Sequence, residues 1–296
     1  ACKWHHFEGS TPLFSAIFFY MKNLNPKEIK SLAIRTNMIM DLKTAQVEDK
    51  GEYVVIRTPS RPSYFWGNYI LMREAPFQGC YEKWLGIFER EIGDSGQLGF
   101  ASLAWDIPNE TGEVAEFLKH GFKMEDSRVL TCSRESLVEP PKFNSEVEVR
   151  PLVSDADWKR LVEIHFEKNW EYGSDEAQLK FLQEGAVEFR KLCEAGEAVR
   201  MGAYFDGLGA ADLGLYWQDG LGRFNNVATH EDFRRRGICG RLVYETCKYG
   251  FEKMGLDTLV METDENYHAA KIYESVGFSL TEKLYTLGWY DKSKFE

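Results

Sequence analysis

Two Asp-Gly pairs, Asp206-Gly207 and Asp219-Gly220, separate three apolar runs, "AVRMGAYF", "GAADLGLYWQ" and "GRFNNVATH". A two-residue turn that matches the twist of its flanking strands needs positive φ at both positions, and Asp-Gly supplies it cheaply. The three runs are therefore expected to fold back on one another as an antiparallel meander. Upstream, "VEVRPL" alternates as a strand, and Ser154 caps the helical stretch "SDADWKRLVEIHF". A second helix is expected over 174–196. Downstream, Ile238, Leu242, Cys247, Phe251 and Met254 mark one side of a helix that stops at Gly255. "DTLVMET" reads as a strand, "AAKIYESVGF" as a short helix ending in glycine, and "SLTEKLYTLGWY" as a last strand. The whole is a mixed α/β fold.

The earlier part of the chain is a fainter version of this order. "EYVVIRTP" and "YFWGNYILM" read as paired strands, and "YEKWLGIFEREI" as a helix. "LGFASLAWD" follows as a strand, "EVAEFLKHGF" as a helix and "RVLTC" as a strand. "FLKHGF" and "IYESVGF" occupy the same place in each half, which points to an internal duplication. The boundary falls in the polar stretch 133–148, where Pro140-Pro141 suits neither a helix nor a central strand.

With 296 residues the chain is comfortable for two domains. Its net charge of −11 argues against general nucleic-acid binding and favours cationic partners. The six cysteines form no C-x-x-C pair and keep no metal-like company with the histidines. They read as free thiols in a reducing cytoplasm, with no metal site. "PLFSAIFFYM" is too short to span a bilayer, so no membrane attachment is expected. Met21 would make a plausible start, and the first twenty residues are set aside as a leader or an extraneous segment.

Against this acidic background "VATHEDFRRRGICGRL", residues 227–242, is locally cationic. A strand leading through a glycine turn into a helix leaves the helix's first N–H groups without partners, with the positive end of its dipole behind them. Phosphate is their natural ligand. The plain alternative is a solvated charge run with a lone glycine. A second element, "NYHAAKIYESVGF", residues 266–278, follows the next strand. Together the two resemble the GNAT superfamily of N-acetyltransferases. Its acetyl-CoA motif, R/Q-x-x-G-x-G/A, is matched here by "RRRGIC" through Arg234 and Gly237, with Cys239 in the second small-residue place. Its later motif, N-x-x-A-x-x-L/I-Y-x-x-x-G-F, is matched by Asn266, Ala269, Ile272, Tyr273, Gly277 and Phe278.

The resemblance covers the chain from about Val147 onward. It implies two GNAT-like domains, each with a mixed, mostly antiparallel central sheet flanked by helices. Residues 21–137 would form a degenerate N-terminal copy, and 146–296 the catalytic domain. The amides of Arg235, Arg236, Gly237, Ile238, Cys239 and Gly240 would hold the pyrophosphate of acetyl-CoA, with side-chain help from Arg236 and Arg234. Val227 and Thr229 would pair with the pantetheine arm on a strand splayed from its neighbour. One such N–H could stabilise the oxyanion of the intermediate. Tyr273 would protonate the departing thiolate, although Ala269, Ile272, Tyr273 and Val276 also follow the core stripe of an amphipathic helix. Asn266 would be a cofactor contact or a helix cap. Glu262, Asp212 and His230 are candidates for the base, with Glu262 placed in the catalytic set.

The first half has "REAPFQGC" where the arginine turn should stand, and Phe117 where Tyr273 should be. It would pack against the working half and shape the amine site. The activity implied is acetyl transfer from acetyl-CoA to a primary amine, on a small cationic molecule, by a monomer or homodimer. A peptide or protein amine as acceptor, or a non-catalytic acyl-CoA sensor, are the rival readings. A covalent route through Cys239 is disfavoured, since that thiol should face the phosphates.

Overall fold

The structure, a computed structural model, describes residues 24–166, 173–264 and 270–294. The first half contributes helix α1 (Leu32–Thr44), strands β1 (Gln46–Asp49), β2 (Tyr53–Arg57) and β3 (Tyr69–Met72), and helices α2 (Tyr81–Glu91) and α3 (Ser95–Leu98). Strand β4 (Phe100–Trp105), helix α4 (Ala115–Lys119) and strand β5 (Lys123–Ser133) complete it. The second half begins with β6 (Glu148–Pro151), α5 (Asp155–His165), α6 (Asp175–Glu194), β7 (Ala198–Phe205), β8 (Leu208–Gln218) and β9 (Leu221–Thr229). It ends with α7 (Ile238–Glu252), β10 (Thr258–Asp264), α8 (Ala270–Glu274) and β11 (Ser279–Tyr290).

Both Asp-Gly pairs turn as expected. Asp206 and Gly207 lie at φ 50° and 76°, Asp219 and Gly220 at 51° and 78°, and the meander β7–β8–β9 is antiparallel. The mixed, mostly antiparallel sheet flanked by helices is also as expected. Its connectivity is not a simple pair of sheets. The eleven described strands form one sheet in the order β1-β2-β3-β4-β11-β5-β10-β9-β8-β7-β6. Each half gives its last strand to the other. Strand β5 pairs with β10 from Ser133↔Thr258 to Ser127↔Asp264, and β11 pairs with β4 from Ala104↔Thr286 to Phe100↔Tyr290. The two exchanged strands pair with each other at the centre. Neither half's sheet is complete without the other's strand.

Side chains alternate across this sheet, so successive residues of one strand reach different cores. Val260 of β10 packs with Val129, Leu284 and the α1 residues Ile34 and Met38. Met261, its neighbour, packs with Leu130, with Leu242 and Phe251 of α7, and with Tyr273 of α8. Helices α1, α5 and α6 thus cover one face, and α2, α4, α7 and α8 the other.

Helix α1 is absent from the sequence reading. Ser31 caps it, accepting the Ile34 N–H at 3.4 Å, but its apolar residues are not sorted to one side. The reason is its place: it packs across strands of both halves, and Thr36 reaches buried Arg223 of β9 at 3.3 Å. The stretch "YFWGNYILM" differs as well. Its first part is a 3₁₀ turn, Phe65–Gly67, because Asn68 ties the loop back, accepting the Thr58 N–H at 2.8 Å and donating to the carbonyls of Arg61 and Tyr64 at 3.0 and 2.8 Å.

The polar stretch 134–147 contains no helix or strand, yet it is packed against the second half. A Cβ on Gly277, at φ 108°, would overlap the carbonyl of Ser136, and one on Gly237 would lie 2.5 Å from the carbonyl oxygen of Lys142. The Asn144 side chain donates to the carbonyl of Arg236 at 2.9 Å.

Candidate active site

Strands β9 and β10 run parallel and pair at only three positions, Leu221↔Thr258, Gly222↔Leu259 and Arg223↔Val260. Beyond these they part. Each keeps its outer partner: Thr229 stays paired with Ala211 of β8, and Asp264 with Ser127 of β5. A bulge gives β9 its bend. Between Ala228↔Asp212 and Asn225↔Gly214 two residues of β9 oppose one of β8, and Asn226 takes φ 46°. The N–H of His230 donates to the carbonyl of Ala210 at 2.9 Å. Alternation along the strand then turns the N–H group of Thr229 away from β8 and toward the gap, and Val227 lies in the bulge itself.

The gap opens into a cavity of about 420 Å³ that passes through the sheet. On the α7–α8 face it is lined by Tyr273, Met261 and Phe224. Tyr273 is only 5 % exposed: its ring belongs to the core and also lines the cavity. On the α1 face the lining includes Asp41, Tyr64, Trp66, Tyr69, Glu125, Glu262 and Asp264.

At the end of β9 the turn comes back toward α7 through Arg235 at φ 64° and Gly237 at φ 76°. No side chain caps α7, and among the described residues the N–H groups of Arg235 to Gly240 meet no backbone acceptor. These six donors lie at the start of a fifteen-residue helix, at the positive end of its dipole. Arg234 anchors the turn, its Nε donating to the carbonyl of Thr229 at 3.1 Å. Arg236 packs 5.6 Å over both Phe205 and Phe233. Arg241 faces elsewhere, pairing with Glu245 at 3.1 Å and lying 3.8 Å over Phe143. The glycines serve a purpose beyond a ligand's approach. The polar stretch 134–147 presses on them, Lys142 on Gly237 and Pro140 on Gly240, where a Cβ would be 3.3 Å from the proline ring. Ile238 is buried in the core beneath the turn at 1 % exposure. Burial pushes the Cys239 thiol up to about 11, with Thr229 beside it.

Val227, Tyr273 and Glu262 line the cavity, while Thr229 ends β9 and the 234–240 turn follows it into α7. Asn266 and Ala269 lie outside the described residues. Of the base candidates, Glu262 is held by the buried guanidinium of Arg223. Asp212 is 1 % exposed and engaged with Arg200 and His165, accepting from Arg200 Nε at 2.6 Å and lying 3.0 Å from His165 Nε2. His230, at the end of β9, takes the Asp232 N–H on Nδ1 at 3.4 Å.

Sequence reasoning missed Asp41, Tyr64, Trp66, Tyr69, Glu125 and Asp264. All but Asp264 belong to the first half. Burial raises Asp41 to about 7, although the Tyr69 hydroxyl donates to it at 2.9 Å and Arg223 stands near. Burial, with Asp264 and Glu262 beside it, likewise raises Glu125 to about 7. No local signal marks them. Among the described residues no group of three His, Cys, Asp or Glu side chains is placed to hold a metal ion. No described helix is long and apolar enough to cross a membrane.

Residues 194–280 match the family model described as an acetyltransferase (GNAT) domain. That segment runs from the end of α6 into β11 and contains the bulge, the gap, the turn and Tyr273. Among solved structures the chain is similar to a GCN5-related N-acetyltransferase from Kribbella flavida, at 14% identity and TM-score 0.62, over 88% of this chain and 95% of that one. It is also similar to a functionally unknown conserved protein from Staphylococcus epidermidis, at 12% identity and TM-score 0.67, over 82% and 92%. A tandem GNAT protein from the clavulanic acid biosynthesis pathway is 10% identical with TM-score 0.53, over 86% and 87%. Identities this low show the fold, which is GNAT-like and shared with a tandem member. No curated protein matches the chain.

Proposed function

We propose that this chain is an acetyl-CoA-dependent N-acetyltransferase with one reaction cleft, in its second half, acting on a small cationic amine. The first half, in this reading, is a copy that has lost the chemistry and kept the scaffold. The observation that carries the proposal is the parting of β9 and β10 directly behind a turn whose N–H groups meet no backbone acceptor. The donor's pyrophosphate suits the amides of Arg235 to Gly240, and its thioester arm suits the bulge at Val227 and the turned-in N–H group of Thr229. Acetyl-CoA, as the acyl donor, supplies the activated carbonyl. What the chain's own residues do follows from position. An N–H facing the gap stabilises the oxyanion that forms as the amine attacks. Tyr273 hands its phenolic proton to the departing thiolate.

The acceptor enters from the α1 face. Four carboxyl groups there, Asp41, Glu125, Glu262 and Asp264, share the cavity with Tyr64, Trp66 and Tyr69. Carboxylates draw an ammonium group in and aromatic faces hold a cation, so a small cationic amine fits better than an anionic acceptor. A panel of amines assayed for thiol release from acetyl-CoA tests the proposal. Turnover is expected with cationic amines and not with N-acylated or acidic analogues. A chain that neither binds acetyl-CoA nor releases thiol overturns it.

A further inference from the structure

We propose that Glu125, a residue of the first half, is the general base for the reaction in the second half's cleft. The inference rests on the acetyltransferase reading above and adds what that reading leaves open, the group that deprotonates the amine.

The strand exchange makes the argument. Strand β5 lies between β10 and β11, and Glu125 is opposite Thr286 while Ser127 is opposite Leu284 and Asp264. Glu125, Ser127 and Val129 alternate onto one face of β5, the face whose core holds Val129, Val260 and α1. Tyr273 is in the core of the opposite face, yet both residues line the same cavity. The gap between β9 and β10 is what connects the two faces. An acid on one face and a base on the other, lining one cavity in a split sheet, suits amine attack on a thioester.

Glu125 is the carboxylate best placed to exchange a proton. Glu262 is bound to Arg223, and Asp41 accepts a hydrogen bond from the Tyr69 hydroxyl. Asp264, exposed like Glu125, sits at the open end of β10, at the last pair of the β5–β10 ladder. Glu125 is accessible from the cleft and has no guanidinium partner among the described residues. The charged groups around it are Glu262 and Asp264 on β10, Arg223 on β9 already paired, Asp41 on α1, and Lys123 two residues back on its own strand. Loss of hydration in the cleft first, then repulsion by Asp264 and Glu262, raise its pKa to about 7, against the pull of Lys123 and a hydrogen bond with Thr286. That places it where a base is effective near neutrality.

The proton balance closes. The ammonium gives one proton to Glu125, which passes it to water through the open cleft. The freed lone pair forms the C–N bond to the acetyl carbon, and the C–S bond breaks. Tyr273 protonates the thiolate, and the second proton leaves the new amide nitrogen to restore the phenol.

Glu125→Gln keeps shape and removes the base. With spermidine and phenethylamine as acceptor probes, kcat/KM is expected to fall roughly 10²-fold or more, with acetyl-CoA affinity unchanged by calorimetry. The wild type should lose kcat/KM as pH drops below about 7, where Glu125 becomes protonated. That limb should vanish in Glu125→Gln and persist in Glu125→Asp at a lower rate. A structural role alone would not move the limb. An active wild type whose Glu125→Gln variant keeps both rate and limb overturns the base assignment and leaves the acetyltransferase reading standing. A wild type that releases no thiol from acetyl-CoA with either amine or with water overturns both.

Discussion

Two parallel strand pairs, β3–β4 and β9–β10, are each followed by a helix, and they end in opposite ways. In the first half, pairing runs from Ile70↔Leu103 to Met72↔Trp105 and continues past the strand, the Asp106 N–H donating to Met72 at 2.9 Å. Asp106 then closes the end by accepting the N–H groups of Lys30 and Ser31, each at 2.9 Å. Trp84, Trp105 and Phe117, all 0 % exposed, fill the space beside it, with Trp84 5.7 Å from Phe117. At the turn into α2 two donors are held locally: Phe77 donates to Cys80 Sγ at 3.3 Å and Cys80 donates to the carbonyl of Phe77 at 3.1 Å. In the second half a bulge bends β9 away, the turn's donors meet no backbone acceptor, and a tyrosine stands at the opening. One strand–turn–helix plan therefore ends as a closed core or as an open gap, and a bulge and a few side chains decide which.

The contrast is broken most severely at the turn. Gly237→Glu brings a carboxylate to the donors, a Cβ against the carbonyl of Lys142, and a side chain to a backbone at φ 76°. Acetyl-CoA binding should become undetectable by calorimetry, with a lower melting temperature. Wild-type affinity in this variant would mean that the turn is not the phosphate cradle.

Tyr273→Phe gives the second half the ring that the first half has at Phe117. The fold and acetyl-CoA affinity should hold, because the phenyl ring keeps its place beside Phe278, 6.3 Å away between centroids. Turnover should fall roughly 10²-fold or more. A variant that melts and turns over like wild type would reduce Tyr273 to a core residue.

The reverse exchange, Phe117→Tyr, sharpens the comparison. A hydroxyl at this fully buried position should cost about 1–3 kcal/mol in chemical denaturation. Acetyl-CoA should still titrate at one per chain, since the first half has neither the gap nor the turn. A stoichiometry of two would show that the closed half can open.

The smallest effect belongs to Cys239→Ala. Burial keeps this thiol protonated, up to about 11, and it is the thiolate that attacks a thioester. The rate should stay within roughly twofold of wild type. A large loss, together with a trapped acetyl-cysteine in mass spectrometry, would revive a covalent route.

Much of the second half was legible because its signals are local. Asp206-Gly207 and Asp219-Gly220 prescribe their own backbone, and Ser154 caps α5, accepting from Asp157 at 3.1 Å. Gly237 marks a left-handed position wherever the chain goes next. The first half was harder to read. Helix α1 mixes polar and apolar residues because it touches strands of both halves, and Asn68 turns part of an apparent strand into a loop. Glu125 lay a few residues before the recognised run "RVLTC", in a segment that carries no motif of its own.

By itself the sequence determined the meander, the arginine turn, the short helix bearing Tyr273 and the polar stretch between halves. Each depends on torsional preferences and hydrogen bonds within a few residues. Only the tertiary structure decided that β5 and β11 exchange sheets, that α1 roofs the gap, and that Asp41, Glu125 and three aromatic residues of the first half wall a cleft in the second. A strand's pattern says which face is apolar and nothing about which edge it will join. That choice sums pairing and burial over the whole chain, and the pKa of Glu125 follows from it, because the carboxylates that raise it belong to a strand more than a hundred residues away.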